Sequence, residues 1–427
     1  MAESTEPTPE APTSARSLLI GFGAGVALGS ALNWLGKDAA WIEPLLDGLL
    51  LPIGQLFLRS LFMLVLPMLF SAIVVGIAEL DVRSLGKLGL KTLGLATVFS
   101  TIAVVIGLVM VNSVGPGRGL DDSVRSLGDA SAQIPSAPAS GSGLQNAVLA
   151  LVPDNPVKAA ANGDMLGMIV FSILFGIGAS FAKSDAVSQL VETIRGLYDV
   201  SMRLVSMVLK LAPLGVGALV CVMTARAGFE VFRALGSFVL VVLSGLLIHS
   251  IVTYSAAVWL LGGMAPWTFF RGSRLAIVTA FATASSNATL PTSLIVAERD
   301  LGLPKKISRF VLTAGASMNQ NGTALFEGVT VLFLAQVYGV DLSLGQQLGV
   351  MLTCVLAGIG TAGVPAGSLP VIAMILQRNG IPAEGLGLIL GVDRFLDMCR
   401  TTVNVAGDLA IAAAVARSDS AADQQTS

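Results

Sequence analysis

The chain has 427 residues, of which 54% are hydrophobic and only 12% charged, with a mean hydropathy of +0.81. A water-soluble domain of that make-up would expose very large apolar patches, so composition excludes one and indicates an integral membrane protein. The formal net charge of −2 gives no reason to expect nucleic acid as a partner.

Residues 1–16, MAESTEPTPEAPTSAR, are acidic and rich in Pro, Ser and Thr. They lack the basic start and small-residue cleavage site of a signal peptide and are expected to form a disordered cytosolic tail. A bilayer core about 30 Å thick takes roughly 20 apolar residues per helical crossing. Residues 17–36, 48–78, 88–112, 228–261, 310–338 and 384–416 reach that length. Strand-like alternation is absent, which excludes a barrel and predicts an all-α polytopic membrane protein. Arg83, Lys87 and Lys91 follow the second of these stretches, and Arg299, Lys305, Lys306 and Arg309 precede or open the fifth, whereas residues 338–347 contain neither Lys nor Arg. Basic loops remain on the inside, so both termini are expected in the cytoplasm, with the chain in the inner membrane. Cys221, Cys354 and Cys399 lie in apolar surroundings and read as small core residues. The lone His249 cannot form a metal cluster by itself and reads as a packing residue.

The organisation changes near residue 225. The first half holds one hydrophilic segment, 113–145, and no site-like chemistry. In the second half ASSNATLP (284–291) and GTAGVPAGSLP (360–370) interrupt apolar stretches. The flanking runs are too short to span alone, which predicts re-entrant hairpins. Irregular backbone at that depth is tolerated only when buried in protein or lining a cavity. Each hairpin precedes a long apolar stretch, 310–338 or 384–416, giving a hairpin-plus-helix repeat, and paired interruptions of this kind point to the substrate site of a carrier.

Both long stretches carry polar groups. SMNQNGTALFEGV (317–329) places amides and a Glu in an otherwise apolar helix, which is expected to unwind around Gly322. In LGVDRFLDMCRTTVNVAGDLA (390–410), Asp393, Asp397, Arg400, Asn404 and Asp408 are spaced by 4, 3, 4 and 4 and fall on one helical face. A charge at mid-membrane costs roughly 2.5–3.5 kcal/mol, so these groups must pair or line a wet cavity. A salt bridge from Asp397 to Arg400 alone would leave Asp393 and Asp408 unexplained, and Arg394 is expected to point to another face. The chain contains no HExxH, GxSxG or GxxxxGK[ST] motif, which argues against an enzyme or an ATP-driven pump. A channel is the closer rival, because broken helices also build selectivity filters.

Four ordered elements, SSNATLP, NQNGT, AGVPAGS and DMCRTTVNVAGD, resemble the glutamate transporter family, the dicarboxylate/amino acid:cation symporters, over about residues 17–416. The resemblance implies eight transmembrane helices plus two re-entrant hairpins, arranged as inverted repeats in a homotrimer that works as an elevator. Residues 17–225 would be mainly scaffold, with the third helix (88–112) assigned to the transport domain. Residues 226–416 would be mainly transport domain, with hairpin 1 at about 266–300 and hairpin 2 at about 345–380, and 417–427 a C-terminal tail. By the same resemblance, Asp397 grips a substrate ammonium, Arg400 pairs with its side-chain carboxylate, and Thr323, Thr401 and Asn404 are polar neighbours. Ser285 and Ser286 supply donors from the first tip, while Val364 and Ser368 lie at the gate. An acidic amino acid, glutamate or aspartate, matches that set independently, since it needs a guanidinium, a carboxylate and several donors. Asn319, the backbone near Gly315, Asn404 and Asp408 match one family sodium site, and Ser317, Thr361 and the hairpin backbone near Gly358 a second. At the third, Asn321 stands for the usual acid and Ala96 and Phe99 for hydroxyl residues, so that site is expected to be lost. Glu327 matches the family's proton carrier, the alternative being a permanently protonated Glu with a structural role. The expected partners are thus an acidic amino acid, lipid and two further copies, with protons and sodium as candidate coupling ions and no cofactor. A C4-dicarboxylate symporter of the same family and a substrate-gated channel are the alternatives.

Overall fold

The computed structural model describes residues 15–35, 41–78, 82–119, 152–161, 165–182, 184–228, 230–360 and 368–426. The expectations for residues 1–14, for most of the hydrophilic segment, and for Thr361 and Val364 lie outside the described residues, as does the side chain of Ser317. Among the described residues there is no strand.

The first half contributes α1 (Ala15–Trp34), α2 (Ile42–Ala78), α3 (Val82–Val114), α4 (Met165–Phe181), α5 (Asp185–Leu209) and α6 (Ala212–Ala227). Ser184 caps α5 by accepting the Val187 N–H at 3.3 Å. A 54° bend separates α5 from α6, and Pro213 at the start of α6 fits there because its missing N–H would have had no helical partner. α1 lies along α6 at close range. Gly21, Gly25 and Gly29, four residues apart, face α6, and a methyl group on any of them would overlap the backbone of Pro213, Gly217 or Cys221. Small residues at this spacing let helix backbones approach where no hydrophobic effect drives association.

The second half runs α7 (Glu230–Leu260), α8 (Pro266–Thr283), α9 (Ser286–Ile295), α10 (Lys305–Met318), α11 (Asn321–Val337), α12 (Leu344–Gly360), α13 (Ser368–Arg378) and α14 (Leu386–Thr426). A π-helical turn at His249–Tyr254 interrupts α7, and both residues are fully buried. Residues 321–335 of α11 are all buried, as expected of a helix apolar on every side. It is surrounded by α3, α7, α12 and α14 and forms the centre of the second half. Helices α8 and α9 pack against each other across a two-residue break, and α12 and α13 are also in contact.

Four described helices are long and apolar enough to cross a bilayer, Ser17–Trp34, Ile42–Ala78, Leu88–Val114 and Glu230–Leu260, and the bent α5–α6 pair provides a fifth. The predicted span 310–338 is two helices, because the chain leaves helical geometry at Asn319 and Gln320. The predicted tail from residue 417 instead continues α14 to Thr426. Lys91 Nζ donates to Ser418 Oγ at 3.1 Å, so the start of α3 and the end of α14 share one side of the molecule.

The glycine contact gives a direct test. Gly25→Leu should lower the melting temperature of the purified protein, since overpacking costs about 1–3 kcal/mol even where the surroundings can yield. Gly23→Leu, with nothing within 4 Å of the added carbon, should leave it unchanged.

Candidate functional site

The polar centre is built from the α10–α11 break and the facing stripe of α14. The five stripe residues Asp393, Asp397, Arg400, Asn404 and Asp408 are all buried. Arg400 is 1% exposed, which makes its pairing decisive. Its Nε donates to Asp397 Oδ1 at 3.1 Å and its Nη1 to Asp393 Oδ1 at 2.9 Å, while Nη2 lies 3.0 Å from Asp397 Oδ1. The Phe326 ring lies under the guanidinium, 4.2 Å from Cζ to centroid, a further attraction for a desolvated cation. The Asp397–Arg400 bridge is therefore present and takes in Asp393, which the spacing alone left unexplained. Arg394, expected on another face, brings Nη1 to 3.8 Å from Asp397 Oδ2.

The helix opens in the NQNGT motif, but earlier than expected. Asn319 (φ −117°, ψ 76°) and Gln320 (φ −104°, ψ 50°) leave the helical region, whereas Gly322 already lies in the first turn of α11. The Gly322 N–H donates to Asn404 Oδ1 at 2.8 Å. A side chain at Gly322 would press on the Arg400 carbonyl and on Asn404, so glycine is needed there for close approach. Asn404 Nδ2 donates to Thr323 Oγ1 at 3.0 Å and to Gln320 Oε1.

A second hydrogen-bonded series lies beside the first. Asn319 Nδ2 donates to Asp408 Oδ1 at 2.7 Å, Asn321 Nδ2 to Asn319 Oδ1 at 3.3 Å, and Tyr254 Oη to Asn321 Oδ1 at 3.0 Å. The Tyr254 hydroxyl also reaches the Val403 carbonyl at 2.9 Å. Gly315 packs against the Asp408 carboxylate, leaving no space for a Cβ between them. Asn319, Asp408 and Gly315 are thus brought together, while Asn404 makes its contacts with Gln320, Thr323 and Gly322. Ala96 and Phe99 are buried apolar residues, and the Phe99 ring lies 5.7 Å from that of Tyr254.

At the first tip Ala284 adopts a left-handed conformation (φ 49°) that turns the chain from α8 into α9. Ser285 caps α9 by accepting the Ala288 N–H at 3.2 Å. The Ser286 hydroxyl is buried, as is that of Ser368 at the start of α13, and neither has a hydrogen-bond partner among the described residues. Thr401 is buried on α14. Glu327 is fully buried on α11, and neither carboxyl oxygen has a hydrogen-bond partner among the described residues.

Tyr254 and Phe326 were not anticipated from the sequence. For Tyr254 a signal existed: a tyrosine within an apolar span needs a partner for its hydroxyl, and the chain contains only 3 tyrosines. For Phe326 there was none, since its contact with Arg400 depends on how α11 meets α14.

Broken helices carrying buried charges inside a helical, multi-pass membrane protein are features of a membrane transport protein. The chain belongs to the sodium:dicarboxylate symporter family, which matches residues 15–418. It is 36% identical over 388 residues to the proton/glutamate-aspartate symporter of Escherichia coli (strain K12), covering 90% of this chain and 88% of that protein. It is 33% identical over 398 residues to the proton/sodium-glutamate symport protein of Bacillus caldotenax, covering 92% and 91%. With excitatory amino acid transporter 2 of Homo sapiens it shares 32% identity over 438 aligned positions, covering 90% and 76%.

Tyr254→Phe should lower the melting temperature, because it leaves the buried Asn321 Oδ1 without a donor, at a cost of about 1–3 kcal/mol. An unchanged melting temperature would show that the hydroxyl adds nothing to the second series.

Proposed function

We propose that this protein is a secondary active symporter of acidic amino acids, glutamate or aspartate, coupled to cations. One observation carries the reading: a fully buried Arg400 held between Asp393 and Asp397 beside a helix break. A buried ion pair can open only if both partners find replacements, because a charge left alone there costs several kcal/mol. An acidic amino acid supplies them together. Its ammonium takes Asp397, and its side-chain carboxylate takes Arg400 in a bidentate pairing suited to a guanidinium. The hydroxyls of Ser286 and Ser368, without a hydrogen-bond partner among the described residues, are suitable donors for its remaining oxygens, and the first turn of α9 adds a favourable dipole for an anion. A C4-dicarboxylate has no ammonium to replace Arg400 at Asp397, which would keep only the 3.8 Å approach of Arg394. The relatives named for glutamate and aspartate support the same reading.

Glu327 is the proposed proton carrier. A buried carboxyl with no hydrogen-bond partner among the described residues can gain and lose a proton without breaking a hydrogen bond, provided that the transport cycle changes its surroundings. Asp408, with the Asn319 amide oxygen and the backbone near Gly315, offers hard oxygen ligands to one sodium ion. The Asn321 amide is occupied on both sides by neutral partners and faces apolar Phe99 through Tyr254, which supports the absence of a third sodium ion. The further proposals are a homotrimer, elevator movement of the second half together with α3, and a cytoplasmic-membrane location with both termini inside. Leu190, Leu197, Val200, Leu204 and Met207 on α5 are exposed, a surface suited to lipid or another copy.

Arg400→Ala should abolish saturable uptake of labelled aspartate and glutamate into proteoliposomes. Uptake at the unsubstituted level would remove Arg400 from the binding site, and currents indifferent to unlabelled amino acid would favour a channel. A pH gradient acidic on the substrate side, imposed without a sodium gradient, should drive accumulation in the unsubstituted protein and fail in Glu327→Gln. Equal accumulation in the variant would exclude Glu327 as the carrier.

A further inference from the structure

Gln320 stands at the point where α10 ends and is only 3% exposed. The last regular bond of α10 runs from the Asn319 N–H to the Gly315 carbonyl at 2.8 Å. The next bond in the series, from the Gln320 N–H to the Ala316 carbonyl, is not made. The Gln320 N–H instead points out of the helix to the Gly358 carbonyl on α12, at 3.3 Å. A buried carbonyl is thereby released from its helix, and such a group must be satisfied by protein, water or a cation. The side chain of the same residue satisfies it: Gln320 Nε2 donates to the Ala316 carbonyl at 3.0 Å.

The direction of this bond follows from its surroundings. A backbone carbonyl only accepts, so the Gln320 nitrogen must face Ala316 and its oxygen must face Asn404. Asn404 then presents its nitrogen to Gln320, and its oxygen receives the Gly322 N–H, which can only donate. Backbone groups fix both ends of the relay, and no member can flip without setting like atoms against each other. The relay joins α10, α11 and α14, and the Gln320 backbone adds α12.

We propose that Gln320 is a positioning residue that does the work of a bound cation at the helix break, holding the released Ala316 carbonyl with its own N–H so that this point of the site keeps its shape without an ion. The inference rests on the carrier reading of the site. It assigns to the chain's own amide a place where a residue lacking a donor would leave a carbonyl open to sodium.

Two variants test it. Gln320→Glu, at a pH that keeps the new carboxyl ionised, keeps the shape but sets a carboxylate oxygen against the Ala316 carbonyl, an arrangement that needs a cation between the two. Gln320→Met keeps the length and removes both polar atoms. The melting temperature of each purified protein is measured without substrate in sodium chloride and in choline chloride of equal strength, and the Kd for labelled aspartate across a sodium series. The expected result is stabilisation by sodium in Gln320→Glu beyond that of the unsubstituted protein, because a ion that binds only the folded form raises its stability. Its Kd should gain about a further tenfold change per tenfold change in sodium, the signature of one added ion. Gln320→Met should bind aspartate at least about tenfold more weakly, from the loss of the relay, with sodium recovering part of the loss. A variant recovered folded in sodium but not in choline also supports the proposal. Sodium dependence equal to that of the unsubstituted protein in both variants would overturn it, as would variants that fail to fold in either salt. If the unsubstituted protein binds neither aspartate nor glutamate, the carrier reading fails, while the melting comparison still decides the role of Gln320.

Discussion

A helix opened inside a membrane protein has no bulk water to receive the backbone groups that it releases, so protein groups or bound ions must take them up. The break at Asn319 and Gln320 is the clearest instance of this constraint here. The amides around it are arranged in two series, one running between backbone groups through Gln320 and Asn404, the other from Tyr254 through Asn321 and Asn319 to Asp408. The close packing of α10 and α11 against α14, with glycine at positions 315, 322 and 407 where a side chain would collide with these groups, follows from the need to bring the partners within hydrogen-bonding distance.

Charge is handled in two ways within the same small region. Arg400 is surrounded by compensation, with two carboxylates and an aromatic face, so it can remain ionised without water. Glu327, on the helix that also carries Phe326, has no hydrogen-bonded partner among the described residues. A group fully paired within the protein can change partners only when a ligand supplies new ones, whereas an acid with no hydrogen-bond partner to give up can respond to a proton alone. Substrate binding and proton coupling can therefore be assigned to different residues in one packed core.

The two halves of the chain also differ in how they pack. In the first half α1 and α6 meet backbone to backbone through glycines, whereas on the amino-terminal side of α14 glycines receive side chains, Leu219 at Gly387 and Phe22 at Gly391. Farther along, α14 turns to polar partners on α10 and α11. One long helix thus links a surface of close, featureless contact to a polar centre.

Much of this was legible in the sequence. Composition alone required a membrane protein, because 54% hydrophobic residues cannot be hidden in a single soluble core. The 4, 3, 4, 4 spacing put Asp393 to Asp408 on one face, because helix periodicity is a local property, and the polar interruptions marked where helices would break, because Ser, Asn, Gly and Pro compete with helical hydrogen bonding wherever they occur. Partner choice was not local. That Arg400 takes Asp393 as well as Asp397, that Arg394 turns toward Asp397, that Phe326 and Tyr254 belong to the polar centre, and that the break falls at Asn319 and Gln320 all depend on the approach of α7, α10 and α11 to α14 and of α12 to Gln320. A buried polar group bonds to whatever donor or acceptor the packing brings within about 3 Å, and only the tertiary structure decides which groups those are.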